Sequence, residues 1–312
     1  MELFNPRNLK FNFANTFKFW GIVSVVGVLL SIVAFVFKPG INYGIDFRGG
    51  IEASVKFAQR TEVDQLRGAL KGYLESFDIV EIDQTGGRGF FITAQAESKE
   101  NISVKLSEAL NKGFGTEQSG AWSIQKLDSV GPKIGAELRK SALLSLIYTC
   151  LLIALYIYIR FDVRYAPGAL LSIFHDLVIT AGFLALTQTE FSTTVVAALL
   201  TLAGYSINDT VVIFDRIRET EEKVLGKTTK EIVNLALNST LPRTIMTSGT
   251  TLISTIVLYF FGGSELQPFA LTLMFGVLLG TYSSVFIASP LFLLGHKWIK
   301  EKNPEGAEAT AS

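Results

Sequence analysis

The 312-residue sequence is poor in reactive side chains. It has one cysteine, Cys150, two histidines, His175 and His296, and no net charge, with 28 basic residues against 28 acidic ones. A single cysteine forms no intrachain disulfide, and its place in an apolar run makes it a small buried or lipid-facing group. Two histidines leave no metal-ligand spacing, so no metal site is expected. A balanced charge gives no electrostatic footprint for nucleic acid. No nucleophile stands beside a base in a recognisable pattern, so no covalent reaction is expected. Gly226-Lys227-Thr228 looks like the end of a phosphate-binding loop, but the glycine needed five residues earlier is Glu221, which argues against ATP binding.

What the sequence has is hydrocarbon. Hydrophobic residues make up 49% of it, and they are strung into runs rather than distributed around helices. About 20 mostly apolar residues span a bilayer. Six runs qualify: Phe19–Phe37, Ser141–Ile159, Tyr165–Leu186, Thr193–Phe214, Thr244–Phe261 and Phe269–Leu294. The last is long enough to tilt. The first has basic residues before it, like a signal peptide, but it is long and no small-x-small site follows; it reads as a retained span.

Short basic segments fix the orientation. Arg160, Arg164, Arg216, Arg218, Lys223, Lys227, Lys230, Arg243 and Lys297 all fall on one side, whereas the connections near Gln188–Glu190 and Gly262–Gln267 hold no Lys or Arg. The positive-inside rule puts both termini in the cytoplasm. The expected organisation is a cytoplasmic segment 1–18, a first span 19–37, an outside domain 38–140, a five-helix bundle 141–295 and a cytoplasmic tail 296–312. Within the bundle, 215–242 is expected as a cytoplasmic amphipathic segment, with one charged face.

Residues 38–140 read as a small α+β domain. Strands are expected at Ile51–Phe57, Ile79–Gln84, Phe90–Ala96 and Trp122–Leu127. Helices are expected at Thr61–Phe77 and Ser98–Lys112, the latter capped by Ser98, with a tight turn at Gly86–Gly89. The order β-α-β-β-α-β is the ferredoxin-like pattern. Nothing in this domain has the look of catalysis. It is either a folded spacer or a surface for a partner or substrate.

The informative residue is Asp209, in the fourth run. A carboxylate at mid-bilayer costs roughly 2.5–3.5 kcal/mol on insertion scales. Such groups face a bundle interior or a wet cavity and mark ion or proton paths. Arg243 opens the next run, and the two form a candidate switchable ion pair. Thr201, Tyr205, Asn208 and Asp209 share one helix face by spacing. So do Arg243, Thr247, Thr250, Thr251 and Ser254 in the fifth run, and Ser172, His175, Asp176 and Thr180 in the third. Asn208, Thr247 and Thr251 are therefore expected beside Asp209. His175 and Asp176 are secondary candidates, either a hydrogen-bonded structural pair or part of transport. Most of the Ser and Thr residues are equally suited to ordinary helix packing. Gly276-x-x-x-Gly280 allows close helix approach.

Four longer motifs carry a resemblance. Gly44-Ile45-Asp46-Phe47-Arg48-Gly49-Gly50, Val130-Gly131-Pro132-Lys133-Ile134-Gly135, the run from Gly204 to Glu219, and Leu241-Pro242-Arg243-Thr244 resemble the signatures of the SecD/SecF export proteins. The small outside domain fits the SecF side of that family. The resemblance implies six transmembrane helices plus a ferredoxin-like periplasmic domain, in the resistance-nodulation-division superfamily. It implies a bacterial inner-membrane protein that works with a separate SecD beside the SecYEG channel, acting on the unfolded exported polypeptide. The coupling ion would be H⁺, or Na⁺ as in some marine relatives, with no other cofactor. Asp209 and Arg243 match the family's fourth-span aspartate and fifth-span arginine. Two other readings stay open: a scaffold that moves no ion, and a small-molecule exporter of the same superfamily.

Overall fold

Hydrocarbon offers no water to bond a bare backbone, so a spanning segment must close its hydrogen bonds within a helix. The computed structural model of the chain describes residues 11–37, 40–59, 61–74, 77–84, 87–94, 99–161 and 164–302. Residues 1–10 and 303–312 of the two expected terminal segments, the Ser98 cap, Gly86 of the expected turn and the last residues of the expected third strand, 95–96, lie outside the described residues.

Among the described residues six helices are long and apolar enough to cross a membrane. They are α1 (Phe13–Val36), α5 (Pro132–Arg160), α6 (Ala166–Thr187), α7 (Thr193–Lys223), α8 (Thr229–Phe261) and a last span made of α9 (Gln267–Ser283), one π-helical turn (Ser284–Ala288) and α10 (Ser289–Lys302). α6, α7 and α9 form the centre, while α1, α5 and α8 leave most of their apolar surface outward. That division suits lipid on one side and packed helix on the other. Gly276 and Gly280 explain how α7 and α9 approach so closely. A methyl group on Gly276 would meet the Leu202 side chain, and one on Gly280 would stand 3.2 Å from Ser206 Cβ.

The helices are longer than the apolar runs. α5 has 29 residues, roughly 43 Å at 1.5 Å each, so its first turns stand clear of a 30 Å hydrocarbon core. The amphipathic segment expected at 215–242 is not a separate helix. α7 runs on to Lys223 and α8 begins at Thr229. Gly226, at φ +78°, breaks the chain there. Thr228 then starts α8 with a capping box: Glu231 N–H donates to its hydroxyl and the Glu231 carboxylate accepts from its backbone N–H. The glycine and threonine that imitate a phosphate loop are thus a helix stop and a helix start. Pro242 lies inside α8 and removes one backbone donor near the boundary between its polar and apolar parts.

Between α1 and α5 sits the α+β domain: α2 (Ile45–Arg48), β1 (Gly50–Phe57), α3 (Val63–Leu70), β2 (Phe77–Gln84), β3 (Gly87–Ala94), α4 (Lys99–Phe114) and β4 (Trp122–Val130). The sheet order is β2-β3-β1-β4, all antiparallel, the ferredoxin-like arrangement. Leu66 and Leu70 of α3 and Leu106 and Leu110 of α4 pack with Val55, Phe90, Ile92 and Trp122 in one core. α3 is shorter than the expected Thr61–Phe77, because Gly72 at φ +105° ends the run.

The first motif bolts this domain to the bundle. Gly49 and Gly50 have φ of 75° and 136°, which a side chain adopts only at a cost. The Asp46 carboxylate accepts from the backbone N–H (2.8 Å) and hydroxyl (2.6 Å) of Thr193, the first residue of α7. Gly44 N–H donates to Phe191 O at 3.0 Å, and Phe191 N–H donates to Asn42 O at 2.7 Å. Gly135 of the second motif lies against the first, with Gly49 N and Phe47 O 3.1 Å from where its Cβ would be. Lys126 of β4 pairs with Glu265, before α9, at 3.0 Å.

The junction encloses a cleft of about 210 Å³ lined by Asp46, Glu52, Lys126, Asp128, Glu190 and Glu265, among others. Burial, then the charges of Glu190 and Asp128, push Glu52 up to about 7, with Lys126 opposing and Asp46 adding to the shift. Burial and Asp46 also push Glu190 up. A raised carboxyl binds its proton more tightly folded than unfolded, so its contribution is full below the ordinary value of 4.5 and is lost as pH rises through about 7. Glu52→Gln should therefore raise the thermal midpoint of the purified full-length protein at pH 8, by the equivalent of about 2–3 kcal/mol at most. The gain should vanish near pH 4.5. An equal gain at both values contradicts this reading of the junction.

Candidate functional site

Helix α7 meets α6, α8 and α9 in the middle of the bundle, and the buried hydroxyls there are not scattered. Asp209 is 3% exposed. Its Oδ2 accepts from the Ser248 hydroxyl of α8 at 3.5 Å, the long limit of a hydrogen bond. Ser248 Oγ is also 2.6 Å from Thr281 Oγ1 of α9 and accepts from the Tyr205 hydroxyl of α7 at 3.3 Å. One hydroxyl thus reaches the carboxylate directly, two more from α7 and α9 hold that hydroxyl, and Arg243 acts on the carboxylate through its charge without a direct bond.

On the other side of the α7–α9 pair lies a second carboxylate, Asp176 of α6, 1% exposed. Its Oδ2 accepts from Ser206 of α7 and Ser283 of α9, each at 2.6 Å. Its Oδ1 stands 2.9 Å from His175 Nδ1. Beside it, Thr210 and Ser284 hydroxyls meet at 3.0 Å, and Ser284 also donates to Gly280 O at 2.8 Å. Ser284 opens the π-helical turn. Such turns often accompany functional sites, because they displace side chains from the regular helix face. Asp176 and Asp209 therefore flank the same helix pair within one polar layer.

Several expected neighbours are elsewhere. Asn208 is exposed on the outer face of α7, as is Thr201. The Thr247 hydroxyl returns to Arg243 O at 3.0 Å, and that of Thr251 returns to Thr247 O at 3.0 Å. These threonines satisfy their own helix, and the inward face of α8 is instead Thr244, Ser248 and Thr255. Arg243 is exposed, and among the described residues no hydrogen bond or ion pair joins it to Asp209. Spacing groups residues on a face without saying which face turns inward, and the expected stripe on α8 turns outward. The stripe on α6 turns inward whole: Ser172, His175, Asp176 and Thr180 are all buried. Ser206, Ser248, Thr281, Ser283 and Ser284 escaped sequence reading. Their signal was the alignment of hydroxyls opposite two acids across helices, which a single chain does not display.

The outward face has its own character. Gly204 and Asn208 of α7 and Arg243, Thr250 and Ser254 of α8 are exposed, and side chains added at Gly204 or Gly249 would meet nothing within 4 Å. Small and polar residues favour close helix–helix contact in a membrane, and a bare guanidinium facing lipid is costly.

Comparison with known proteins agrees with this architecture. The family described as "Protein export membrane protein SecD/SecF, C-terminal" matches residues 107–298, and the "SecD/SecF GG Motif" matches residues 34–59. Protein translocase subunit SecF of Gemmatimonas aurantiaca is 36% identical over 98% of this chain and 92% of its own length. That of Calditerrivibrio nitroreducens is 39% identical over 91% and 93%. Among solved structures, SecDF from Thermus thermophilus, described as translocon-associated, superposes with a TM-score of 0.82 at 34% identity over 92% of this chain. A SecDF structure in a super-membrane-facing form gives 0.67 at 34% identity over 97%. This chain spans only about two fifths of those SecDF chains, 39% and 40%. The chain belongs to the SecD/SecF family of protein-export membrane proteins, among its SecF subunits.

Proposed function

We propose that this protein is an accessory subunit of the Sec translocase that uses the proton-motive force, together with a SecD, to assist export of unfolded polypeptides beside the SecYEG channel. It lies in the bacterial inner membrane with both termini in the cytoplasm and the α+β domain outside. It is a transport component in this reading and catalyses no covalent reaction.

The observation that carries the proposal is the placement of Asp209. The carboxylate sits within the bundle, one helix face away from an outward polar surface that holds Arg243 and Asn208. Hydrocarbon does not suit that surface, and SecDF chains of more than twice this length supply a second half that could cover it. Arg243 then lies at the seam between the halves, close enough to act on Asp209 through a small movement of α8. A proton taken up from outside neutralises Asp209 and frees the Ser248 contact. Release to the cytoplasm restores both. Each charge carried through the potential is worth about 2.3 kcal/mol per 100 mV, so a few protons suffice to tilt a helix. The Asp46 bond to Thr193 makes α7 a direct link between that event and the outside domain.

Asp209→Asn in cells lacking the wild-type copy should reduce proton-gradient-dependent export to the level seen with the gradient collapsed, without lowering the amount of protein in the membrane. Ser248→Ala should cost several-fold, and Arg243→Lys should cost less than Arg243→Leu. Export assays on inverted vesicles, with and without an uncoupler, check all three. Normal gradient-dependent export by Asp209→Asn would leave only the scaffold reading.

A further inference from the structure

His175 carries an unpaired nitrogen where a structural histidine would have none. The ring is 6% exposed. Its Nδ1 faces Asp176 Oδ1 at 2.9 Å. A carboxylate only accepts, so Nδ1 bears the hydrogen and Nε2 is left with its lone pair. Among the described residues no hydrogen-bond partner reaches Nε2. Buried polar atoms are almost always paired, because an unpaired one forfeits its hydration without return.

That ring lines an apolar groove of about 450 Å³ between α1, α6, the π-helical turn and α10. The other polar side chain in its lining is Ser24, whose hydroxyl is 2.7 Å from the Tyr282 hydroxyl of α9. The His175 and Tyr282 rings lie 6.2 Å apart between centroids. Among the described residues the titratable groups around His175 are Asp176 on its own helix and Tyr282 on α9, while the α1 and α10 walls contribute no charge.

We propose that the His175–Asp176 pair is a second proton-holding centre, coupled to Asp209 through the α7–α9 contact. This inference rests on the proton-driven reading above. Without its proton the pair has one negative charge, on Asp176. A proton taken up at Nε2 makes the ring a cation and the pair neutral, and no existing hydrogen bond need break. The carboxylate keeps its three donors, His175, Ser206 and Ser283, so the change is one of charge rather than shape. Ser206 and Ser283 lie one and two residues from Tyr205 and Thr281, which lead through Ser248 to Asp209. Two acids thus bracket one helix pair, and in low dielectric the charge on one sets the cost of charge on the other. Fixing one ring nitrogen by a carboxylate while the other exchanges protons is the usual way a histidine is made into a relay.

The test uses the full chain with its SecD in lipid bilayers. With His296→Gln, His175 is the only histidine in this chain, and ¹⁵N-histidine labelling of this subunit reports its ring alone. The ring should pass from doubly protonated to the Nδ1–H form between pH 5 and 9, and Asp176→Asn should move the midpoint by at least one pH unit. A ring locked in one state across that range overturns the proposal. Independently, His175→Asn keeps a donor for Asp176 but carries no proton. It should lose gradient-dependent export at least tenfold at an unchanged membrane level; wild-type export with an unchanged pH profile overturns the proposal. Asp209→Asn, assayed alongside, separates the two ideas. If it exports normally the proton-driven reading fails, whereas if only His175→Asn is normal the second centre alone fails.

Discussion

An acid buried among apolar helices has to be given partners, and the rest of this bundle is arranged around that need. Hydrocarbon offers no donor, so the hydrogen bonds to Asp176 and Asp209 come from the protein: from His175 on Asp176's own helix and from hydroxyls of neighbouring helices. The hydroxyl donors are serines, Ser206, Ser283 and Ser248, whose small size also lets the helices close up. The requirement for hydroxyls and the requirement for close packing fall on the same positions: Ser206 lies against Gly280, and Ser283 and Ser284 follow it. The two acids differ in how fully they are served. Asp176 has three short contacts from three residues, whereas Asp209 has one long one. The less satisfied carboxylate is also the one on which an exposed cation, Arg243, acts.

The α+β domain extends that arrangement out of the membrane. Its two signature motifs do not form a site of their own. One caps α7 through Asp46, the other closes on the glycine pair of the first, and both hold the domain at the head of the helix that carries Asp209. A tilt of α7 therefore reaches the domain without passing through a flexible linker. The acidic junction beneath the sheet, with Glu52 held near 7, makes the strength of that attachment depend on pH.

Much of this was legible in the sequence. Six spans follow from length and apolarity, and the ferredoxin-like order follows from alternation and turn residues, because both are local properties. Asp209 and Asp176 stand out for a similar reason: their cost in hydrocarbon is fixed by residue type. What could not be read was the rotation of each helix. Thr247 and Thr251 share a stripe with Arg243, yet it is Ser248, between them, that turns inward. Packing against α7 and α9 decides that, and packing is not a local property. The hairpin between α7 and α8 was missed for a simpler reason: a charged, helical stretch looks continuous until Gly226 is seen at positive φ. Arg243 was expected to touch Asp209. In this structure no hydrogen bond or ion pair joins them among the described residues, and Arg243 acts on Asp209 only through its charge.

The central claim is that a change of charge at Asp209 moves the bundle. The most direct measurement is the distance between spin labels on the outside domain and on the far end of α8, recorded with the SecD-bound protein in liposomes before and after a proton gradient is imposed. The account predicts a gradient-dependent shift in the wild type that disappears in Asp209→Asn. The same shift in both proteins would contradict it.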